Sequence, residues 1–154
     1  MSISFKDQVV IVTGAGAGLG HSHALDFARR GAKVVVNDFG GATDGTGGST
    51  AASEAVVAEI KAAGGEAIAN GADVSDEAQV KAMVDQAMAE WGRVDVVVAN
   101  AGILRDKTFI KMEMDDFRKV LDVHLMGTVH CAKAVWAIMR EQGYGRLVFT
   151  DRKS

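Results

Sequence analysis

Residues 9–20 read Val9-Val10-Ile11-Val12-Thr13-Gly14-Ala15-Gly16-Ala17-Gly18-Leu19-Gly20, so that an apolar run leads directly into a series of closely spaced glycines. This order predicts a β-strand, a tight turn and a helix, the construction that holds the phosphates of a dinucleotide. We expect Gly14 to allow the turn, Gly18 to let the backbone approach a pyrophosphate and Gly20 to let the helix pack closely against the strand. The free N–H groups and the positive dipole end of that helix would then face the anion.

Runs of β-branched residues alternate with helical stripes along the rest of the chain, which is typical of a parallel sheet with crossover helices. The predicted strands are residues 9–13, 33–37, 66–70, 94–99 and 146–150. Right-handed crossovers give the strand order 3-2-1-4-5 in a doubly wound α/β sheet of the Rossmann type, ending with the fifth strand. A ligand crevice is expected where the strand order reverses, at the carboxyl ends of the first and fourth strands.

Helical stripes and one glycine-rich run account for the segments between the strands. The longest predicted helix covers about residues 115–141. Its buried face is expected to comprise Phe117, Val120, Leu121, His124, Thr128, Cys131, Val135 and Ile138. Ser75 and Asp76 are expected to cap the preceding helix, and residues 39–50 to form a surface loop over the cofactor edge. We assign residues 1–150 to one dinucleotide-binding domain and residues 151–154 to a tail outside it.

The composition excludes several classes of function. The formal net charge is −3 and the 17 basic residues are spread along the chain, so we expect no nucleic-acid partner. The apolar runs fall short of the roughly 18 residues that a membrane span needs, and the N-terminus lacks the pattern of a secretion signal. Cys131, the only cysteine, excludes an internal disulfide and is expected to fill a buried apolar position rather than a reactive one. We expect a cytoplasmic location, and a peroxisomal one only for a eukaryotic parent with a C-terminal signal.

Two histidines near the N-terminus, His21 and His23, raise the question of a metal site. Two residues apart on a predicted helix, they project to different sides, and no cysteine or carboxylate cluster accompanies them. We therefore expect that the protein binds no metal.

Several motifs occur in the order that one enzyme family shows. The spacing Thr-Gly-x-x-x-Gly-x-Gly at residues 13–20 resembles that of the short-chain dehydrogenase/reductase family. Asp73-Val74 resembles the adenine-contacting pair of this family, and Asn100-Ala101-Gly102, preceded by alanine, resembles its Asn-Asn-Ala-Gly motif. Residues 36–41 and 123–127 are similar to the (3R)-hydroxyacyl-CoA dehydrogenase region of peroxisomal multifunctional enzymes and their bacterial relatives. The resemblance covers about residues 5–150, the N-terminal part of such an enzyme.

The resemblance implies a nicotinamide cofactor, contacted by Gly14, Ala17, Gly18, Leu19, Gly20, Asp38, Asp73, Val74, Asn100, Ala101 and Gly102. Asp38 closes the second predicted strand, where its carboxylate can accept hydrogen bonds from both hydroxyls of the adenosine ribose and would repel a 2′-phosphate. Ala17 and Phe39 stand where NADP-using relatives tend to carry a basic residue, so NAD is expected. Two alternatives stay open, namely Asp38 as a turn residue of the following loop and Asp73 as a cap or turn at a strand end.

The catalytic residues that the resemblance implies are largely missing from this sequence. The family uses a Tyr-x-x-x-Lys pair, in which the lysine lowers the pKa of the tyrosine and the tyrosine passes the proton, and a serine that orients the substrate oxygen. Here the only tyrosine is Tyr144, four residues before Val148, and residues 150–152 read Thr-Asp-Arg where the family reads Thr-Ser-Ser. His124 occupies the helix position usually held by a catalytic asparagine. The alternative for His124 is a silent, hydrogen-bonded histidine on an apolar face.

Two functions follow from these patterns. The first is an NAD-dependent oxidoreductase that moves hydride between the nicotinamide and a secondary alcohol or ketone, such as a 3-hydroxyacyl thioester. This chain would be its cofactor-binding half, without turnover of its own. The second is a noncatalytic module that binds a nucleotide or only partner subunits. We also expect self-association as a dimer or tetramer, through the open edge at residues 147–149 or through the long helix, which pairs with its counterpart in relatives.

Overall fold

One parallel sheet of five strands forms the centre of the computed structural model, which describes residues 3–150. The strands are β1 (Val9–Thr13), β2 (Lys33–Asn37), β3 (Glu66–Asn70), β4 (Val96–Ala99) and β5 (Arg146–Phe149). Their order is β3-β2-β1-β4-β5, and every neighbouring pair is parallel. This order confirms the predicted Rossmann-type sheet. The predicted tail at residues 151–154 lies outside the described residues.

Helices cover both faces of the sheet. They are α1 (Gly18–Arg29), α2 (Ala51–Ala62), α3 (Glu77–Trp91), α4 (Met114–Leu121) and α5 (Gly127–Gln142), with a 3₁₀ turn at Phe109–Lys111 and a π-helical turn at Asp122–Met126. Buried side chains of α1 and α2 cluster with Val10 and Val12 of β1, and those of α3 and α5 cluster with Val9 and Ile11. Because successive side chains of a strand point to opposite faces, a strand that is covered on both sides is apolar throughout.

A buried acidic residue, Asp95, precedes β4. Its carboxylate accepts a 2.8 Å hydrogen bond from the backbone N–H of Val9 and two from the guanidinium of Arg93, at 2.6 and 2.8 Å. The hydrogen bond to this carboxylate is the main reason that the pKa of Arg93 is raised. A buried carboxylate needs such partners. These contacts hold Asp95 beside the start of β1, and the regular strand begins at Val96 rather than at residue 94 as predicted.

The long helix predicted over residues 115–141 is interrupted by the π-helical turn. The extra residue in such a turn rotates the helix face that follows it by about 100°. The buried residues of this segment are Val123, Gly127, Cys131, Val135 and Met139. The predicted buried face is therefore correct for Cys131 and Val135 but wrong for Phe117, Leu121 and His124, which are exposed.

Candidate functional site

A crevice of about 340 Å³ opens at the carboxyl ends of β1 and β4, where the strand order reverses. Most of the residues predicted to contact a cofactor lie along its walls, namely Gly14, Ala17, Gly18, Asp38, Asp73, Val74, Asn100, Ala101 and Gly102. The structure thus brings together the turn after β1, the loop after β2 and the segments that follow β3 and β4.

The turn between β1 and α1 has a backbone that requires glycine. Gly14 and Gly18 have φ angles of +63° and +59°, in the left-handed region that side chains disfavour. A Cβ on Gly18 would meet no atom within 4 Å, so the backbone at this position faces open space in the crevice. α1 begins without a side-chain cap and without an acidic residue in its first turn. The first N–H groups of the helix therefore lack a side-chain acceptor at the position where a phosphate would bind.

Asn100 and Thr13 join this turn to the segment after β4. The side-chain amide of Asn100 donates to the carbonyl oxygens of Thr13 and Gly14, at 3.0 and 3.2 Å. In return, the buried hydroxyl oxygen of Thr13 accepts from the backbone N–H groups of Asn100 and Ala101, both at 3.0 Å. The side chain of Asn100 therefore holds the glycine turn in shape while its backbone borders the crevice.

Asp38 follows β2, and its carboxylate connects two backbone segments. One oxygen, Oδ2, accepts from the N–H of Gly16 at 2.8 Å, and the other, Oδ1, accepts from the N–H of Gly40 at 2.7 Å. The bond to Gly40 agrees with the alternative role of Asp38, that of a turn residue of the following loop. Each carboxylate oxygen can accept a second hydrogen bond, so acceptor capacity for ribose hydroxyls remains.

Gly16 is a residue of the glycine turn for which no role was predicted from the sequence. A Cβ on this residue would come within 2.7 Å of the Asp38 Cγ and within 2.8 Å of the Ala52 Cβ. The absence of a side chain therefore lets the Asp38 carboxylate reach the glycine turn. The only available signal was the position of Gly16 between the two glycines of the family spacing.

The glycine-rich loop after β2, residues 39–49, crosses one side of the crevice, and we refer to it as the strap. Its ends are joined by a 2.9 Å hydrogen bond from Ser49 N–H to the Phe39 carbonyl. The backbone N–H of Leu104 donates to the Thr43 carbonyl, and Arg105 Nε donates to the Asp44 carbonyl, both at 2.8 Å. The strap therefore lies over the crevice edge, as predicted, and is fastened to the segment after β4.

An ionic contact extends this fastening to α4. The guanidinium of Arg105 also donates to Asp116 Oδ1 at 2.8 Å, and Lys107 Nζ donates to Asp116 Oδ2 at 2.8 Å. The hydrogen bond from Lys107 is the main reason that the pKa of Asp116 is lowered. One guanidinium thus connects the strap, through the Asp44 carbonyl, to α4.

Asp73 and Val74 border the crevice beyond β3. Asp73 Oδ1 accepts from the backbone N–H and the hydroxyl of Ser75, at 2.9 and 2.6 Å, and Oδ2 lies 3.4 Å from Lys119 Nζ. Partial burial acts to raise the pKa of Asp73, but the hydrogen bonds from Ser75 and the charge of Lys119 outweigh it, and the pKa is lowered. The bonds between Asp73 and Ser75 agree with the alternative role of Asp73, that of a turn residue at a strand end. The cap of α3 is Asp76, whose side chain accepts from the backbone N–H groups of Ala78 and Gln79. Ser75 lies one residue before the cap, and its hydroxyl donates to Asp73 instead.

Three predicted site residues do not border the crevice. Leu19 is 67% exposed on the outside of α1. A Cβ on Gly20 would come within 2.6 Å of the Asn100 side-chain nitrogen, so Gly20 allows close packing behind the turn. His124 lies behind Gly102, with its Nε2 atom 3.0 Å from the Ile103 nitrogen and 2.9 Å from the Ile103 oxygen. Its ring is thus hydrogen-bonded to the segment after β4.

Other features of the sequence have structural roles outside the crevice. The Arg146 guanidinium carbon lies 4.7 Å from the centre of the Tyr144 ring at the turn into β5. Cys131 is buried, and burial raises its pKa to about 11. The Nε2 atom of His21 lies 2.8 Å from Glu59 Oε2 on α2. Arg152, at the position of the family serine, is outside the described residues.

Residues 3–150 contain no group of three or more histidine, cysteine or acidic side chains arranged to hold a metal ion. Within the same range, no helix combines the length and the apolar character needed to cross a bilayer.

Comparison with known proteins identifies the family. A family model for the short chain dehydrogenases matches residues 8–151. The chain belongs to the short-chain dehydrogenase family. It is 51% identical over 151 residues to peroxisomal multifunctional enzyme A of Dictyostelium discoideum, covering 98% of this chain and 34% of that protein. It is also 51% identical over 149 residues to a protein of Mycobacterium tuberculosis described as a short-chain type dehydrogenase/reductase, covering 97% and 52%.

A solved structure of another family member confirms the fold. The structure of a 7α-hydroxysteroid dehydrogenase with NADH and 7-oxo glycochenodeoxycholic acid superimposes with a TM-score of 0.84 at 35% identity, over 94% of this chain and 52% of that one. The chain described here therefore spans 34% of the length of the Dictyostelium protein. It spans 52% of the Mycobacterium tuberculosis protein and 52% of the hydroxysteroid dehydrogenase. The resemblance that the motifs predicted is confirmed.

Proposed function

We propose that this chain forms the cofactor-binding half of an NAD(H)-dependent oxidoreductase that acts on a secondary alcohol or ketone. The observation that carries the proposal is the Asp38 carboxylate, which borders the crevice and is fixed by the N–H groups of Gly16 and Gly40. Among the residues that line the crevice, the one basic side chain is Lys119, which lies beside Asp73. A 2′-phosphate next to Asp38 would therefore meet a negative charge with no basic lining residue beside it.

The shape and polarity of the crevice fit the parts of NAD(H) in order. The open backbone at Gly18 and the uncapped start of α1 suit the pyrophosphate, and Asp38 suits the hydroxyls of the adenosine ribose. Asp73 and Val74 then border the place of the adenine. When bound, the nicotinamide supplies or accepts the hydride, and the residues of this chain bind and orient it.

The chemistry of proton transfer is proposed to lie outside this chain. The sequence has no Tyr-x-x-x-Lys pair, since Tyr144 precedes β5 and is followed four residues later by Val148. The proposed substrate class, a 3-hydroxyacyl thioester, rests on the resemblance of residues 36–41 and 123–127 to the (3R)-hydroxyacyl-CoA dehydrogenase region of peroxisomal multifunctional enzymes. Addition of a downstream segment with a serine and a Tyr-x-x-x-Lys pair should restore turnover. A well-folded extended protein without activity on such thioesters would overturn this part of the proposal.

Calorimetric titration of the purified chain with NADH and NADPH tests the cofactor. We expect saturable binding of NADH and weaker binding of NADPH, because only the second places a phosphate beside Asp38. Equal binding would contradict the role of Asp38 as the selecting residue. Binding of neither dinucleotide by the folded chain would favour the alternative, a noncatalytic module for association.

A second proposal concerns self-association, and it rests on an exposed apolar stripe along α4, the π-helical turn and α5. The stripe consists of Phe117, Leu121, Leu125, Val129 and Trp136, which are between 40% and 59% exposed. A row of exposed apolar side chains of this kind indicates a contact site, and the occupant that we propose is a second copy of the chain. Sedimentation should show a dimer or larger assembly at micromolar concentration, reduced by Trp136→Glu. A wild-type monomer at this concentration would exclude self-association.

A cytoplasmic location stays a prediction from the sequence.

A further inference from the structure

Lys119 is a crevice residue to which the sequence motifs assign no role. It lies on α4, one turn before the π-helical turn, and its ammonium group reaches back to the segment after β3. Its Nζ atom is 3.2 Å from Ser75 Oγ and 3.4 Å from Asp73 Oδ2. The side chains of Lys119 and Asp73 are only 31% and 21% exposed, so their charges interact in partly dehydrated surroundings.

The hydrogen bonds of Asp73 divide its two oxygens into different roles. Oδ1 is bonded twice by Ser75, through its backbone N–H and its hydroxyl. Oδ2 has the single long contact with Lys119 and keeps room for a further donor. Ser75 and Lys119 together therefore restrict rotation of the carboxylate and hold Oδ2 available at the crevice. Without Lys119, Oδ2 would lose both its countercharge and its only described side-chain partner.

The surroundings of Asp73 fit an aminopurine ring. Ala72, Val74 and Val123, which neighbour Asp73 in the sequence or line the same crevice, supply apolar walls. An ionised carboxylate can only accept hydrogen bonds. A 6-amino group donates to it, whereas a 6-oxo group in the same place presents a second acceptor, so that Oδ2 gains no donor and faces a repelling oxygen.

We propose that Lys119 is a positioning residue that holds the Asp73 carboxylate toward the 6-amino group of adenine, and that it thereby sets selectivity for a 6-aminopurine dinucleotide over a 6-oxopurine dinucleotide. This inference rests on the proposed binding of NAD(H). The inference goes beyond that proposal by assigning base selectivity to a residue on α4.

The test compares two ligands that differ at one group, NADH and reduced nicotinamide hypoxanthine dinucleotide. We expect the wild-type chain to bind NADH about tenfold or more tightly than the hypoxanthine form, the size of one hydrogen bond to a charged group. Lys119→Met should lower this ratio to within about threefold of unity, because Oδ2 then loses its countercharge and only the Ser75 bonds to Oδ1 still restrain the carboxylate. Lys119→Arg keeps the charge and should restore most of the ratio.

Lys133→Met is the matched control. Lys133 Nζ donates to Glu77 Oε1 at 2.8 Å and so connects α5 to the start of α3, but neither residue borders the crevice. This variant should keep the wild-type ratio. Asp73→Ala should abolish the preference for NADH over the hypoxanthine form, as Lys119→Met does. Combining the two substitutions should cause no further loss of preference, since both remove the same interaction.

The possible results separate this inference from the proposed function. Equal weakening of both ligands by Lys119→Met, with the ratio preserved, would show that Lys119 only supports the fold and would overturn the inference. Wild-type binding of NADH without any preference over the hypoxanthine form would overturn it as well and leave the NAD(H) proposal intact. If the folded wild-type chain binds neither ligand, the NAD(H) proposal fails and the inference fails with it. Circular dichroism and the melting temperature of each variant verify folding.

Discussion

The carboxylate of Asp38 accepts a 2.8 Å hydrogen bond from the backbone N–H of Gly16. The group that we propose to select the cofactor is thus hydrogen-bonded to the turn that we propose to bind its phosphates. The same carboxylate accepts from Gly40 at the start of the strap. A substitution at Asp38 is therefore expected to affect both cofactor choice and the order of two backbone segments, and the test must separate these effects.

Asp38→Asn should shift binding toward NADPH. Asparagine has the shape of aspartate and can still accept from one N–H group, but it lacks the charge that repels a 2′-phosphate. We expect the ratio of NADPH to NADH dissociation constants to fall by about tenfold, measured by calorimetry. Asp26→Asn, which removes a charge from the exposed face of α1, should leave the ratio unchanged. A ratio that stays the same in Asp38→Asn would argue that Asp38 acts only in the turn.

Asp95→Ala should lower the free energy of unfolding. The Asp95 side chain is fully buried, and its removal leaves the N–H of Val9 and the guanidinium of Arg93 without their acceptor. Because the Arg93 side chain is 45% exposed and can be hydrated, the cost is mainly that of the buried Val9 N–H left without an acceptor, about 2 kcal/mol, which urea denaturation can measure. The exposed pair of Lys81 and Asp85 supplies the control, since Asp85→Ala should change stability by less than about 1 kcal/mol. Similar values for the two variants would contradict the importance assigned to Asp95.

The sheet could be predicted in detail because its signals are local. β1, β2 and β3 are apolar or β-branched runs that end in a polar residue, and their predicted bounds are those observed. The start of β4 could not be predicted in the same way. In the sequence, Asp95 is a charged residue that interrupts an apolar run. Its backbone hydrogen bonds are made with Val9 and Arg146, which are distant along the chain, so its place in the sheet depends on tertiary structure.

The interruption of the long helix could not be predicted, because Asp122–Met126 has no proline or other breaker before Gly127. A Cβ on Gly127 would come within 2.8 Å of the Val74 side chain, so the close approach of α5 to the segment after β3 depends on tertiary packing. Most residues that the motifs single out line the crevice, since each motif follows a strand that ends at the same edge. Lys119 was missed because it reaches the crevice from a helix and belongs to no motif.

The stability that Asp73 contributes should depend on pH. Its pKa in the folded protein lies below the ordinary value of 3.8, since the hydrogen bonds from Ser75 and the charge of Lys119 outweigh its partial burial. A lowered pKa means that the ionised form stabilises the fold. This contribution is present above about pH 4 and is lost as the pH falls through the pKa of the folded state. The difference in unfolding free energy between the wild type and Asp73→Asn should therefore shrink below pH 4.

Urea titrations at several pH values between 2 and 7 measure this difference. Asp106→Asn, a change at an exposed residue, serves as the comparison. A difference between the wild type and Asp73→Asn that is the same at pH 7 and pH 2 would mean that the charge of Asp73 does not contribute.

Arg105→Met should loosen the strap over the crevice. The Arg105 guanidinium donates to the Asp44 carbonyl and to the Asp116 carboxylate, so its loss leaves the backbone bond between Leu104 and Thr43 as the remaining described hydrogen bond from this segment to the strap. We expect faster hydrogen exchange at residues 39–49, because local opening then breaks fewer contacts. NADH binding should weaken by several-fold, since the strap must be ordered when the ligand binds.

Arg118→Met is the matched control for the strap. Arg118 lies on α4, pairs with Asp115 at 2.9 Å and is largely exposed, so its loss removes an ion pair of similar chemistry that does not contact the strap. Exchange at residues 39–49 should then be unchanged. If bound NADH slows exchange of the strap in the wild type but not in Arg105→Met, Arg105 couples the strap to the ligand. Equal slowing in both would show that the strap closes without it, and unchanged exchange in free Arg105→Met would show that the backbone bonds alone hold the strap in place.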